Sequence, residues 1–273
     1  MKKTRELEDY ARYLFQKELS ERTIQIYTNQ AALLLDFLQD SPVTKEGMIA
    51  YKRRLCEQGY KATTVNLYIV AANSYLKYAG HEECVIRAKR LQKNRSLENV
   101  ISMEEYRRMA SYAKESGRIK YYYIIKSLVF TGIRISELAF LTVESLGQGR
   151  FTVGNKGRTR EVYVPARLAE ELSEFCRAEQ IQTGVIFKGN GQSPISRIAV
   201  YQMLLRLADM TGVEKQKAHP HSFRHLFALT YMKKYGDLTE LADILGHSSL
   251  ETTRIYTTTT AEEKRRKLDG LEF

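Results

Sequence analysis

Apolar residues recur at three- and four-residue spacing early in the chain, and this period limits the fold more than any other feature does. It is clearest in residues 22–38, whose apolar positions are Ile24, Tyr27, Ala31, Leu34, Leu35 and Leu38. Such spacing puts these side chains on one face of a helix, and other helices must cover that face. We therefore predict a bundle of four helices in the first 80 residues, with later members at 45–57 and from after Thr63 to Gly80.

The rest of the chain has the same helical character. Further helices are predicted at 103–115, 118–130, 166–179, 197–210, 221–234 and 238–245. Three capping-box patterns mark helix starts, namely Ser102 with Glu105, Asp237 with Glu240, and Ser248 with Glu251. In such a pattern the side chain of each residue accepts a hydrogen bond from the backbone N–H of the other residue. These bonds satisfy donors that have no partner within the first helical turn.

One stretch has the period of a strand instead. Phe151 and Val153 alternate with polar neighbours, as do Val162 and Val164, and the segment 154–157 between them contains two glycines that suit a turn. The sequence therefore predicts a mainly α protein with a small β-hairpin. At 273 residues it is long enough for two domains. These are expected to be a helical bundle at 1–82 and a mixed α/β domain at 101–273, joined by a linker at 83–100.

Charge points to the kind of partner. Lys and Arg total 43 against 32 Asp and Glu, which gives a formal charge of +11 and a pI near 9.4. Such a balance favours a polyanion such as nucleic acid. The linker is dense in basic residues, and we predict that Lys89, Arg90 and Lys93 lie against DNA. A merely solvated connector is the alternative.

Cysteine usage and hydropathy bear on location. Cys56, Cys84 and Cys176 are far apart and form no Cys-x-x-Cys pair, so we expect neither a disulfide framework nor a cysteine-based zinc site. No run approaches the roughly 18 apolar residues of a membrane span. A soluble, cytoplasmic protein is therefore expected.

Several residues could together break a phosphodiester bond without a metal, which requires a nucleophile, cationic donors for the phosphate oxygens and an acid for the leaving oxygen. Arg134 follows Gly132 at a predicted turn into a short helix, and His221 and Arg224 lie three apart, hence on one helical face. Lys156 lies in the hairpin turn, where Arg158 and Arg160 are rivals for contact with DNA.

The last two candidates lie near the C-terminus. His247 is expected at a turn between helices, and Tyr256 follows nine residues later. Considered singly, each candidate has a structural alternative, such as a surface salt bridge for an arginine. His219, His221 and His225 suggest a metal site, but no nearby carboxylate or thiol completes a ligand set.

Taken in order, these motifs resemble those of the tyrosine recombinase family, which includes phage integrases and Xer-type resolvases. The resemblance covers about residues 131–256. It consists of Thr-Gly-Ile-Arg-Ile-Ser-Glu-Leu, a Lys-Gly hairpin, His-Ser-Phe-Arg-His, Leu-Gly-His, and a tyrosine nine positions on. The first domain is similar in layout to the family's SAM-like core-binding domain. Two departures are Thr258, where the family often has histidine, and Phe223, where leucine is usual.

The resemblance implies a role for each motif residue. Arg134 and Arg224 clamp the scissile phosphate, and Tyr256 attacks it to form a 3′-phosphotyrosine. The supporting residues are Lys156 as the acid for the leaving 5′ oxygen, His247 as a hydrogen-bond donor to the phosphate, His221 as an acid/base partner, and Glu137 as a support for the site.

The resemblance also implies partners. The chain is expected to bind double-stranded DNA with specific core sites. Four copies are expected to form a homotetramer on the DNA and to exchange strands through a Holliday junction. A tail at 261–273 is expected to dock on a neighbouring protomer. No cofactor, metal or ATP is expected, because the phosphotyrosine conserves the energy of the broken bond. Two rival hypotheses remain at this point: a type IB topoisomerase, and a non-catalytic helix-turn-helix regulator formed by residues 238–256.

Overall fold

The computed structural model describes residues 2–39, 41–89, 97, 99–155, 158–189, 191–247, 249–257, 265 and 269. The chain divides into two compact units, Met1–Asn94 and Arg95–Phe273. Among the described helices, none combines the length and the apolar character that a membrane crossing requires.

The first unit is the predicted helical bundle. Its helices are α1 (Lys2–Gln16), α2 (Glu21–Leu38), α3 (Lys45–Glu57) and α4 (Ala62–Tyr78), followed by a 3-10 helix at Glu82–Cys84. Side chains cap two of them, because the Ser20 hydroxyl accepts from the Thr23 amide and the Thr44 hydroxyl from the Gly47 amide. Gly80 follows α4 with a φ of 82°, as a left-handed position after a helix requires.

The stripe that predicted α2 forms part of the core of this unit. Ala31, Leu34 and Leu38 are buried, while the other three apolar positions of the stripe are partly buried and pack against the same cluster. Full burial of each large apolar side chain contributes about 1.5 to 3 kcal/mol. The period of the sequence therefore identified the correct face of the helix.

The start of the predicted linker belongs to the first unit. Asn73 bonds both the amide and the carbonyl of Ile86, at 3.1 and 2.7 Å, and Asn66 bonds both backbone groups of Lys89, at 2.8 and 2.7 Å. The Lys52 ammonium also donates to the Arg87 carbonyl at 2.8 Å. These bonds tie the segment 86–89 to the bundle although it has no helical or strand period. Arg90 and Lys93 lie outside the described residues.

The second unit is mostly helical around one hairpin. In chain order its elements are α5 (Met103–Glu115), α6 (Ile119–Thr131), a 3-10 helix (Ile135–Phe140), α7 (Val143–Gln148), β1 (Arg150–Asn155), β2 (Arg158–Tyr163), α8 (Ala166–Ala178), α9 (Arg197–Thr211), α10 (Pro220–Tyr235), α11 (Leu238–Leu245), α12 (Leu250–Thr253) and a 3-10 helix (Arg254–Thr257). The helix α7 was not predicted, because six residues are too few to show a period.

The hairpin carries one face of the core. β1 and β2 are antiparallel, with Phe151 opposite Val162 and Val153 opposite Arg160. Phe151, Val153, Val162 and Val164 are all buried in the main cluster of the unit. Because side chains alternate between the faces of a strand, Arg160 lies on the same face as Val162, which faces the interior.

Two of the three predicted caps have the expected residues. Ser102 and Glu105 form a reciprocal capping box, and the Asp237 carboxylate accepts from the Glu240 amide at 2.9 Å. The prediction for α12 was wrong by one residue. Its cap is Ser249, whose hydroxyl accepts from the Glu251 amide at 3.2 Å, and Ser248 lies outside the described residues.

Candidate active site

The turn after α6 connects the two arginines of the sequence motifs. Gly132 ends α6 in the left-handed conformation, with a φ of 61°, and a Cβ atom there would overlap the ring of Phe227. Its carbonyl accepts from the Arg224 guanidinium at 2.6 Å, and Arg134 follows two residues later at the start of the 3-10 helix. A residue other than glycine would therefore disturb the position of both arginines.

Arg224 is held rigidly inside the unit. Its residue is 3% exposed, and its guanidinium donates to the carbonyls of Gly132 and Leu245, at 2.6 and 2.5 Å. Burial, followed by the charge of Arg134, lowers the pKa of Arg224 to about 10. The group is still charged at neutral pH, and these two bonds leave other N–H donors of the guanidinium for a ligand.

Glu137 joins two further arginines. One carboxylate oxygen accepts from the Arg134 amide at 2.7 Å and the other from the Arg134 guanidinium at 3.0 Å. Arg160 donates to the same carboxylate at 2.7 Å. The Glu137 side chain is only 7% exposed, so the two guanidinium groups compensate a charge that burial would otherwise make costly. Glu137 thus lies between Arg134 and Arg160, and its role as a support for the site stays a prediction.

Arg160 points from the hairpin into the unit and not outward into solvent, and its contact with DNA stays a prediction. Its side chain is 11% exposed, and besides Glu137 it donates to the Ile244 carbonyl at 2.8 Å. Burial lowers the pKa of this guanidinium. The side chain also lies so close to Gly246 that a Cβ atom there would overlap it. The alternation of the strand explains the inward direction.

The remaining hairpin candidates are only partly described. Arg158 pairs with Asn155 at the end of the two strands, which places its backbone at the turn. Lys156 lies outside the described residues, and so does the side chain of Arg158.

His247 contacts Arg224 from the loop between α11 and α12. Its Nε2 is 3.2 Å from the Arg224 guanidinium, and its Nδ1 is 2.9 Å from the Thr253 hydroxyl. Burial, followed by the positive charge of Arg224, lowers the pKa of His247 to about 4, so the ring is neutral at pH 7. Because a guanidinium only donates, Nε2 accepts and Nδ1 carries the proton that bonds Thr253.

Tyr256 lies in the 3-10 helix after α12 and is 7% exposed. Its hydroxyl is 2.7 Å from Nδ1 of His225. Burial raises the pKa of the Tyr256 phenol to about 12, although the charge of Arg224 acts in the opposite direction. The phenol is therefore protonated at neutral pH and needs a proton acceptor when it attacks.

The two other histidines of α10 have different surroundings. His221 keeps an exposed surface, and its ring centroid is 6.5 Å from that of His225. Partial desolvation of its ring, followed by the charge of Arg224, lowers its pKa. His219 caps α10, since its Nδ1 accepts from the Ser222 amide at 3.2 Å. Among the described residues no three His, Cys, Asp or Glu side chains are grouped as metal ligands.

Together these groups form a site for an anion. Three guanidinium groups, those of Arg134, Arg160 and Arg224, face the single carboxylate of Glu137 within the part of the chain that the structure describes. A cleft of about 1210 Å³ opens beside Arg134, Arg160 and His247. The guanidinium donors that line the cleft fit an oxyanion such as phosphate, and the neutral histidines contribute no charge of either sign.

The sequence did not reveal three of the contacts. His225, Gly246 and Thr253 were not proposed for the site, although His225 was noted within the histidine cluster. Their partners are Tyr256, Arg160 and His247, and the first two of these pairs link residues 31 and 86 positions apart in the chain. Only for Arg160 was a signal present, because it is two residues from buried Val162 in an alternating strand.

Known proteins match this chain along most of its length. The family model described as Phage integrase family matches residues 99–263, and the one described as Phage integrase, N-terminal SAM-like domain matches residues 7–83. Tyrosine recombinase XerA of Pyrococcus furiosus is 28% identical over 272 residues, covering 96% of this chain and 92% of XerA. Tyrosine recombinase XerD of Vibrio cholerae is 28% identical, covering 89% of this chain and 87% of XerD.

Solved structures share the fold. A lambda integrase dimer bound to a COC′ core site superimposes with a TM-score of 0.76 over 95% of this chain and 96% of that chain, at 20% identity. XerH site-specific recombinase bound to a difH substrate gives a TM-score of 0.69 over 90% of this chain and 79% of that chain, at 21% identity.

Proposed function

Since the chain belongs to the phage integrase family, we propose that its Tyr256 attacks a DNA phosphate held by Arg134 and Arg224. The chain is a tyrosine recombinase, an enzyme that cuts and rejoins DNA strands. Its relatives along nearly the whole chain carry that name, which disfavours a type IB topoisomerase and a non-catalytic helix-turn-helix regulator.

One observation carries the assignment of residues. Arg134 and Arg224 come from distant parts of the chain, yet both are positioned by the turn at Gly132. The Gly132 carbonyl accepts a hydrogen bond from Arg224, and Arg134 follows Gly132 by two residues. Tyr256 lies near enough for the Arg224 charge to act on its pKa. This grouping supports a phosphate site with the phenol beside it.

The reaction follows from the charges. In the pentavalent transition state, negative charge gathers on the equatorial oxygens of the phosphate, and guanidinium groups bind such oxygens with two parallel donors. The phenolic oxygen of Tyr256 bonds to phosphorus while the bond to the 5′ oxygen breaks. Loss of one such donor costs about 3 to 4 kcal/mol of barrier, a hundredfold or more in rate.

The supporting roles are proposals of the same kind. Lys156 gives a proton to the leaving 5′ oxygen, and His221 assists the proton transfers. His247 accepts a hydrogen bond from Arg224 in the DNA-free state. When the phosphate oxygens take over that guanidinium, the ring proton moves to Nε2, which then donates to a phosphate oxygen. Religation reverses these steps and consumes no ATP, because the phosphotyrosine keeps the energy of the broken bond.

The partners and the domain roles extend the proposal. DNA is the substrate, the predicted helical domain at 1–82 and the linker at 83–100 bind the core site, and the predicted domain from 101 onward carries the catalytic residues. Four protomers act on two sites, and the tail at 261–273 docks on a neighbour. The match of the SAM-like family model to residues 7–83 supports the first of these roles.

The experiment needs a DNA site that this protein binds. We would recover it from a pool of random duplexes by its binding to the protein, and we call it the selected duplex. Two copies of the selected duplex on one plasmid should recombine without ATP, giving deletion or inversion of the intervening DNA. Relaxation of the plasmid with no exchange between the sites would contradict a recombinase and favour a topoisomerase.

A further inference from the structure

The hydrogen bond between Tyr256 and His225 is a contact to which the resemblance assigns no role. The phenolic oxygen is 2.7 Å from Nδ1, and the two rings lie with their centroids 5.7 Å apart at an angle of 51°. The motif residue expected to assist the nucleophile, His221, is exposed at the surface of the same helix. The neighbouring histidine therefore touches the reacting atom.

The direction of this bond follows from the available protons. The phenol carries a proton at neutral pH, and the described residues offer its hydroxyl no partner other than His225. Burial lowers the pKa of His225 to about 4, so the ring is neutral and one of its nitrogens is free to accept. Nδ1 is that nitrogen, and the ring proton is on Nε2.

The difference between the pKa values of Tyr256 and His225 keeps the phenol protonated, and hence unreactive, when no DNA is bound. Transfer of a proton from a phenol of pKa about 12 to an imidazole of pKa about 4 is strongly unfavourable. Bound phosphate changes this balance, because its negative charge offsets the neighbouring guanidinium groups and favours the imidazolium. As the phenolic oxygen bonds to phosphorus, its proton also becomes far more acidic.

We propose that His225 is a catalytic residue, the base that takes the Tyr256 proton during cleavage. The inference rests on the proposed function. The Tyr256 O–H bond breaks and its proton passes to Nδ1, the phenolic oxygen bonds to phosphorus, and the bond to the 5′ oxygen breaks with a proton supplied from Lys156. In religation the 5′ hydroxyl gives its proton back to Lys156 as it bonds to phosphorus, the bond between phosphorus and the phenolic oxygen breaks, and His225 returns its proton to the departing phenol.

Substitution by asparagine separates a base from a mere anchor. In His225→Asn an amide oxygen near the place of Nδ1 still accepts the hydrogen bond but takes no proton. Single-turnover formation of the covalent adduct on a nicked selected duplex should slow by about a hundredfold, the lower range for loss of a general base. His219→Asn, on the same helix, keeps a capping side chain and should stay within about twofold of the native rate.

A sulfur substitution in the DNA isolates the step. A selected duplex with sulfur in place of the scissile 5′ oxygen has a leaving group that needs no acid. Lys156→Ala should then regain most of its rate, whereas His225→Asn should remain slow. Restoration of His225→Asn by sulfur would place its action on the leaving group and overturn the proposal.

Two further results would overturn the proposal. If His225→Asn binds the selected duplex like the native chain and cleaves within about threefold of its rate, His225 is not the base. If the native chain forms no adduct, the proposed function fails and this inference with it. A nitrogen-15 spectrum checks the contact without changing residue 225, since the Nδ1 signal should move in Tyr256→Phe, and an unmoved signal contradicts the hydrogen bond.

Discussion

At the scale of single residues, the carboxylate of Glu137 compensates the charge of the guanidinium groups around it. In Glu137→Gln the buried Arg160 loses its anionic partner, and breaking a buried ion pair from one side typically costs about 3 to 5 kcal/mol. We expect the free energy of unfolding, measured with urea, to fall by about 3 kcal/mol. Glu161→Gln is the matched control, because Glu161 pairs with Arg150 on the exposed face of the same hairpin, with 43% of its side chain exposed.

The control should lose less than about 1 kcal/mol, as exposed ion pairs do. Equal losses in the two variants would mean that the carboxylate of Glu137 does not compensate the buried guanidinium groups.

The lowered pKa of His225 also predicts how stability depends on pH. An unfolded chain protonates this ring below about pH 6.5, whereas the folded chain resists protonation down to about pH 4. The unfolded state therefore binds more protons in that window, and stability falls as the pH drops through it. The folded ring is faced by the charged or titratable groups of Tyr256, His221, His219, Arg224 and His247.

The test compares native protein and His225→Asn at pH 7.5 and pH 5.0. Native protein should lose about 1 to 2 kcal/mol more between these values than the variant, because the variant lacks this titration. An equal loss in both would show that His225 does not have a depressed pKa in the folded chain.

At the scale of elements, the loop between α11 and α12 depends on a glycine. Gly246 has a φ of 62° and leaves no room for a Cβ atom beside Arg160. Gly246→Ala should lower the free energy of unfolding by about 2 kcal/mol, through backbone strain and the displaced guanidinium. It should also slow adduct formation, because His247 is the next residue.

Gly236→Ala is the matched control for this prediction. Gly236 ends α10 with a φ of 74° and has open space where a Cβ would be. The control carries the strain of about 1 to 2 kcal/mol without the overlap, and its adduct rate should be unchanged. Equal effects of the two variants on the rate of adduct formation would mean that the overlap with Arg160 does not affect cleavage.

The elements also show what sequence alone can predict. The helices α2, α3 and α5 and the two strands follow from spacing within a few residues, so the local pattern was sufficient. The inward direction of Arg160 was missed because its basic character was weighed above its place in the alternating strand. The segment 86–89 was assigned to a linker because bonds from the side chains of Asn66 and Asn73 leave no periodic pattern.

The same division holds for the site. Arg134, Arg224 and Tyr256 could be proposed for the site because their motifs occur in a fixed order, which is visible without knowledge of the fold. The contact of His225 with Tyr256 was not, since it depends on how a helix and a later turn meet across 31 residues. Spacing within one helix says nothing about such a contact.

At the scale of the whole molecule, charge governs binding. With a formal charge of +11, we expect lysine and arginine to neutralise several phosphates on binding and to release their counterions. We expect the affinity of the full chain for the selected duplex to fall about a thousandfold between 50 and 200 mM salt. Fluorescence anisotropy measures this, and an affinity that hardly changes would indicate binding without phosphate contacts.

Tyr256 should form a covalent bond with DNA, and trapping that bond tests the proposed function most directly. Native protein on a nicked selected duplex should give a protein–DNA adduct that survives denaturation, and mass spectrometry should find the nucleotide on the peptide that contains Tyr256. Tyr256→Phe should give none, while Tyr163→Phe, which alters an exposed tyrosine, should react like the native chain. An adduct that persists in Tyr256→Phe, or one attached to another residue, would contradict the account.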